Sequence, residues 1–281
     1  MAPVSSPTTI TPTSPERPHP RPLSQGERGD QGRCKFRIRF RKAGDLRLVS
    51  HHDLMHVVER MLRRADLPIP TSQGFNPRPR IWFASALALG VAGLNEILEI
   101  EVAEPIEVDE LHTRLARQCP PGIEILSVRL IDVKTSARVR RAFYRLPLPA
   151  SIDDLAHRCE TFLARSECWI ERTRPHPRRV NVRPFVHELH FAHDDLDLAL
   201  WITPTGAARP EEVIAALGLK DLLDAGAVID RTGLEIQDEL PPDTPPPPRI
   251  EAAMQESNTN DASAEVPRPT AIVDNPMSFD S

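Results

Sequence analysis

The sequence predicts an α+β chain built as two tandem ferredoxin-like (βαββαβ) units between disordered tails. Three observations carry this. Of 30 prolines, 7 fall in residues 1–22 and 9 in residues 241–281, where Ser, Thr, Gln and Asn also gather without apolar periodicity. Both ends therefore read as disordered, 1–32 as a Pro-rich tail and 241–281 as an acidic Pro-rich tail. The remaining stretch, about 33–240, is long enough for two cores of ordinary size. Along it, strand and helix periods succeed one another twice in the same order.

The first unit, 33–134, opens on a strand of strict alternation. Arg33, Lys35, Arg37, Arg39 and Arg41 fall on one face, and Cys34, Phe36, Ile38 and Phe40 on the other. After a turn at Ala43-Gly44-Asp45, Ser50 stands three residues before Asp53 in a capping-box arrangement. Leu54, Val57, Val58, Met61, Leu62 and Ala65 then recur at helical spacing, so a helix is expected over 50–66. The loop DLPIPTSQGFNPRPR leads to a short strand near 80–84, then a strand at 96–103, a helix at 107–118 and a strand at 123–131. The second, divergent unit, 135–240, reads as strand 139–147, helix 151–164, strand 167–172, a hairpin of 185–192 with 195–203, helix 210–217 and strand 227–236.

Charge is unevenly shared. Residues 1–185 carry 30 Lys/Arg against 21 Asp/Glu, and residues 186–281 carry 5 against 19. A basic half followed by an acidic one points to an anionic partner, with the acidic end competing for the same surface. The N-terminus lacks the apolar run of a signal peptide, and no stretch approaches the roughly 20 apolar residues of a membrane span, so a cytoplasmic protein without membrane contact is expected. Cys34, Cys119, Cys159 and Cys168 include no C-x2-C pair and no triplet suited to an iron–sulfur cluster, and read as buried reduced thiols.

Three features carry candidate chemistry. The outward row Lys35, Arg37, Arg39 and Arg41 sets cations about 6.6–7 Å apart, a spacing suited to phosphates of an extended strand of RNA. Glu99 and Glu101 share an outward parity on the strand expected beside it, so a cross-strand charge ladder explains the same row, and a protein interface is the third reading. On the helix, His52, His56, Glu59 and Arg63 fall on the outer face, with Arg64 following, and His51 at the edge of the apolar stripe. The i,i+4 histidines lack the H-E-x-x-H pattern of a zinc site, so no metal and no cofactor are expected. Ser50 and His51 at the helix start could hold a phosphate, and His51 is the single candidate acid or base.

The loop with Gly74, Asn76, Arg78 and Arg80 is held by its prolines and presents two arginines to an anion or partner. About 25 Å of helix separates Ser50 from the loop unless the loop climbs back along the sheet. The arginine-rich stretch 172–184, with Arg178 and Arg179, reads as a mobile basic loop; ARPEEVIAAL reads as a proline-initiated helix start.

The motifs SHHDLM, ERMLRRA, S-x-GFNP-x-P and LALG…E, followed more weakly by RVNVRPFV and ARPEEVIAAL, resemble the radical-SAM-linked protein family over about 35–220. That resemblance implies a radical SAM protein as partner and supplies no catalytic residues. The expected function is a non-catalytic RNA- or partner-binding adaptor acting with that enzyme, in RNA or ribosome-linked modification. Two alternatives stand beside it. One is a metal-independent endoribonuclease, by fold-level likeness to tandem ferredoxin-like CRISPR-RNA processing nucleases, with His51 as its acid or base. The other is a scaffold that only docks protein.

Overall fold

A computed structural model describes residues 32–256 except 74, 76, 149–151, 174–175, 193 and 251–253. Of the two expected tails, residues 1–31 and 257–281 lie outside the described residues, as do the candidates Gly74 and Asn76.

The chain is an α+β protein with a large, mostly antiparallel sheet and few helices. Its first half runs β1 (Cys34–Lys42), α1 (His51–Arg64), β2 (Ile81–Phe83), β3 (Ala92–Val102), α2 (Val108–Ala116) and β4 (Ile123–Ile131). The second runs β5 (Val139–Pro147), α3 (Leu155–Ala164), β6 (Trp169–Arg172), β7 (Arg178–Asn181), β8 (Val186–Ala192), β9 (Asp195–Thr203), β10 (Gly206–Ala207), α4 (Pro210–Ala216), α5 (Lys220–Asp224), β11 (Asp230–Ile236) and β12 (Met254–Glu256). Nine strands form one sheet in the order β10-β9-β5-β11-β3-β1-β4, with β2 also on β3 and β8 also on β9. The halves meet where β11 runs parallel to β3 at Ala92–Gly93 and antiparallel to β5.

Alternation dictates which face of β1 is inside. Phe36, Ile38 and Phe40 pack under Leu54, Val58, Met61 and Leu62 of α1 and against Leu98 and Ile100 of β3. Ser50 caps α1 as its spacing predicts: its Oγ accepts from Asp53 N at 3.2 Å and donates to Asp53 Oδ2 at 2.7 Å. The second core gathers Leu146, Phe162, Phe185, Leu196, Leu198, Val213 and Ile214 between the sheet and helices α3 and α4.

Three expectations are corrected. The strand at 169–172 joins no strand of the large sheet; it pairs with β7, and β12 completes a separate three-stranded sheet. Residues 178–181, expected within a mobile basic loop, are that β7 strand, because Val180 and Val182 are fully buried and hold the segment in the core. The proline-rich segment from 241, expected to be free tail, is attached over its first ten residues. Ile250 is buried, its carbonyl accepts from Thr205 Oγ1 at 2.9 Å, and the Pro245 carbonyl accepts from Arg140 Nη2 at 2.5 Å. Prolines lack the N–H but keep the carbonyl, so such a segment docks as an acceptor.

Candidate functional site

The basic row of β1 is not a free surface along its length. Lys35 and Arg37 are 5% and 2% exposed, because Glu99 lies opposite Arg37 on β3 and takes both cations. Arg37 Nη2 meets Glu99 Oε1 at 2.7 Å, and Lys35 Nζ meets Glu99 Oε2 at 2.9 Å. Arg80 pairs likewise with Glu101 at 3.1 Å. The outward parity of Glu99 and Glu101 therefore does produce a charge ladder, but with Lys35, Arg37 and Arg80 rather than Arg39. Arg39 turns instead to Asn95 and to Glu239, beyond the far end of β11, and Arg41 stays half-exposed 4.0 Å from Glu124. Burial works against the Arg37 charge, yet the hydrogen bonds it donates to Asp238, Glu99 and Glu239 outweigh it and raise its pKa above the usual guanidinium value.

The loop after α1 does climb back. Arg80 N donates to Pro70 O at 2.9 Å, Ser72 N to Arg78 O at 2.8 Å, and Thr71 bridges Pro79, so the loop is a tight ribbon rather than a wide excursion. It returns along α1 and encloses a cleft of 780 Å³. His52, His56 and Glu59 of α1 form one wall; Ser72, Arg78, Arg80 and Trp82 form the other. Of the helix-start motif, His52 reaches this cleft together with the ribbon, whereas Ser50 and His51 do not line it.

Within the cleft the imidazoles of His52 and His56 meet edge to face at 4.5 Å, and His56 Nδ1 lies 3.5 Å from Glu59. Trp82 is 42% exposed, with Lys35 Nζ 5.0 Å from its ring centre. Phe75, on the same loop, is fully exposed. Such a surface offers cations, imidazoles and an aromatic platform together. It can bind a base by stacking and a phosphate by Arg78.

His51 faces elsewhere. It packs edge to face on Phe83 at 5.1 Å, and its buried Nδ1 has no hydrogen-bond partner. Burial, then the charges of Arg231 and Lys42, lower its pKa below the ordinary 6.5. Beneath it lies a polar cluster that sequence reasoning missed. Arg231 Nε donates to Glu96 Oε1 at 2.7 Å, its Nη2 pairs with Glu96 Oε2, and its Nη1 donates to the Ala86 carbonyl at 2.9 Å. Lys42, fully buried, donates to the Val49 carbonyl at 2.8 Å, and burial lowers its pKa. Glu96 falls opposite Phe40 on β1, so strand parity placed a charge on the apolar face. That parity was the available signal.

The remaining candidates separate from this cleft. Arg63 and Arg64 sit in the last turn of α1, where they complement the helix dipole. Arg178 and Arg179 lie on β7, Arg179 with its guanidinium 5.4 Å from the Trp169 ring. Among the described residues no group of three or more His, Cys, Asp or Glu gathers as metal ligands would, and no helix is long and apolar enough to cross a membrane.

No curated protein matches the chain at a significant level. One solved structure, described as an unknown protein from Galdieria sulphuraria, is similar at 15% identity. The match covers 73% of this chain and 99% of that one, with a TM-score of 0.24. The family described as "Uncharacterized protein conserved in bacteria (DUF2344)" matches residues 35–211, a span holding the α1 motif, the loop and the Glu96 strand. With more than half of its length matched, the chain belongs to that uncharacterised bacterial family.

Proposed function

We propose that this protein is a non-catalytic adaptor that binds single-stranded RNA in the cleft between α1 and the 70–82 ribbon. In this reading it works beside a radical SAM enzyme, as the resemblance of its α1 and loop motifs implies. The observation that carries it is the composition of the cleft, where Trp82, Arg78, His52 and His56 line one space of 780 Å³. Base–aromatic stacking tolerates any sequence, and an arginine beside it fixes the backbone phosphate. The fold is read here as two ferredoxin-like units. Supporting that, the strand runs β4-β1-β3-β2 and β11-β5-β9-β8 follow the same order of use along the chain.

The test is anisotropy of a fluorescein-labelled RNA 12-mer with the full chain. Trp82→Ala and Arg78→Ala should each weaken binding about tenfold, as loss of about 1–3 kcal/mol of stacking predicts for the tryptophan, while the melting temperature holds. Equal affinity in wild type and both variants removes the cleft from RNA binding. Shortened RNA after incubation with wild type but not with His51→Ala would instead favour the endoribonuclease.

A further inference from the structure

A second place in the molecule gathers three arginines on two neighbouring strands. On the outward face of the sheet, Arg37 of β1 lies directly opposite Arg129 of β4, and Arg39 follows two residues along β1. Like charges opposite one another on adjacent strands repel, so this triangle of guanidiniums demands an anion between its members. In this structure the anion is supplied in cis. The 3₁₀ turn Gln237–Glu239, which follows β11, sets Glu239 among all three arginines: 3.1 Å from Arg37 Nη1, 2.5 Å from Arg129 Nη2, and paired with Arg39 Nη2. Asp238 adds a contact to Arg37 at 2.7 Å.

The cover is slight. The turn has three residues, none of them buried, and it is tied to the sheet by one backbone bond outside itself, Gln237 N to Arg138 O at 2.8 Å. The arginines beneath it line an open cleft of 610 Å³ bounded by Leu240 and Pro241, and the Arg129 side chain is 56% exposed. A ligand therefore has space beside the carboxylates and reaches the cations by displacing one short turn.

We propose that Arg37, Arg39 and Arg129 form a second anion-binding strip, for the phosphodiesters of single-stranded RNA, which Asp238 and Glu239 occupy as carboxylate stand-ins until RNA displaces them. Successive outward residues of β1 are about 6.6–7 Å apart, a spacing comparable to that of neighbouring phosphates in an extended strand. Arg39 and Arg129 can donate to phosphate as readily as to carboxylate, and Arg37, whose Nε and Nη2 are held by Glu99, adds its Nη1. The choice of RNA rests on the reading of the cleft given above; the covered strip itself rests on the geometry of Glu239.

The experiment uses the full chain and the labelled RNA 12-mer at several salt concentrations, with Asp238→Asn/Glu239→Gln, Glu239→Gln alone, and Trp82→Ala. Neutralising both carboxylates should tighten RNA binding at least threefold and steepen the salt dependence by about one unit per phosphate gained. In the wild-type chain, hydrogen exchange at the Gln237 and Leu240 amides should quicken when RNA is added, a readout that holds even where the double variant folds poorly. Unchanged affinity in Glu239→Gln together with unchanged exchange overturns the strip, while loss of binding in Trp82→Ala would leave the cleft reading standing. Tighter binding in the carboxylate variants with none lost in Trp82→Ala keeps the strip and overturns the cleft. Poly-L-glutamate that quickens exchange at those amides where RNA does not would overturn the RNA assignment in favour of an acidic protein segment.

Discussion

Gly93 and Glu96 compete for the same space: a β-carbon on Gly93 would stand 2.5 Å from Glu96 Cγ and 2.7 Å from its Oε1. The Glu96 side chain folds back over its own strand to reach Arg231, which pairs with Gly93 through the backbone of β11. The missing β-carbon is what makes room for the buried ion pair.

Gly93→Ala should therefore destabilise the chain by about 1–3 kcal/mol, the usual cost of an overpacked interior, because the carboxylate it displaces is held at both oxygens. Urea unfolding of Gly93→Ala, Glu96→Gln and the double variant should give strong non-additivity. Simple addition of the two effects would mean that they act independently.

Arg231→Leu leaves the buried Glu96 carboxylate without its partner, and breaking such a pair costs about 3–5 kcal/mol. A loss below about 1 kcal/mol in the same assay would show that water or Lys42 replaces the guanidinium. Burial works against the Arg231 charge, and its contacts to Glu96 overcome that and raise its pKa.

His51 makes stability depend on pH in one direction. Its folded pKa lies below the ordinary 6.5, so below that pH the unfolded chain takes up a proton that the folded chain refuses. Stability attributable to His51 is intact above about pH 6.5 and declines as the pH falls toward the folded value. His51→Gln does not titrate. Plotted from pH 7.5 to pH 5, wild-type stability should drop relative to that of the variant; parallel curves would exclude the effect.

Ser50→Ala removes the Oγ that accepts from Asp53 N and should cost about 0.5–2 kcal/mol. Ser50→Thr keeps that acceptor and should restore most of the loss. An alanine variant as stable as wild type would mean that water caps α1 equally well.

In RNA binding, His52→Ala and Arg78→Ala should couple, since both line one cleft, whereas His51→Ala should add to either independently. Equal coupling of Arg78 to His51 would mean that the cleft reaches deeper than its walls indicate.

Much of the architecture was legible because it is periodic. The alternation of Cys34–Lys42 and the 3.6 spacing from Leu54 to Leu62 set the first core, and the strands Ile123–Ile131, Val139–Pro147 and Asp195–Thr203 lie where their patterns end. The strand expected from residue 96 begins at Ala92 instead: Gly93 is a poor strand former, yet Lys42 on one side and Arg231 on the other pair with it in β3. Lys220–Asp224 is too short a helix to leave a period. The local part of the site was legible too: the Ser50 cap, and Glu99 as a partner for the basic row. What escaped was set by residues far apart in sequence, as with Arg37 and Asp238, or Glu96 and Arg231. No window along the chain contains both members of such a pair. The return of the loop depends on Arg80 reaching the Pro70 carbonyl, a closure that proline content suggests as rigidity but not as direction.

The seam where β11 enters the large sheet also orders events during synthesis. Strands β3 and β5 are both made before β11, and each waits for it as a neighbour. A nascent chain that has not yet exposed residues 230–236 outside the ribosome keeps an open edge on both halves, and holds Glu96 beside Lys42 with no guanidinium to close the cluster. The amino-terminal half, whose strands β4, β1, β3 and β2 lie side by side, therefore reaches its final stability only after the carboxy-terminal half has been translated. Any shortening of the chain before Asp230 therefore leaves both halves without the strand that joins them.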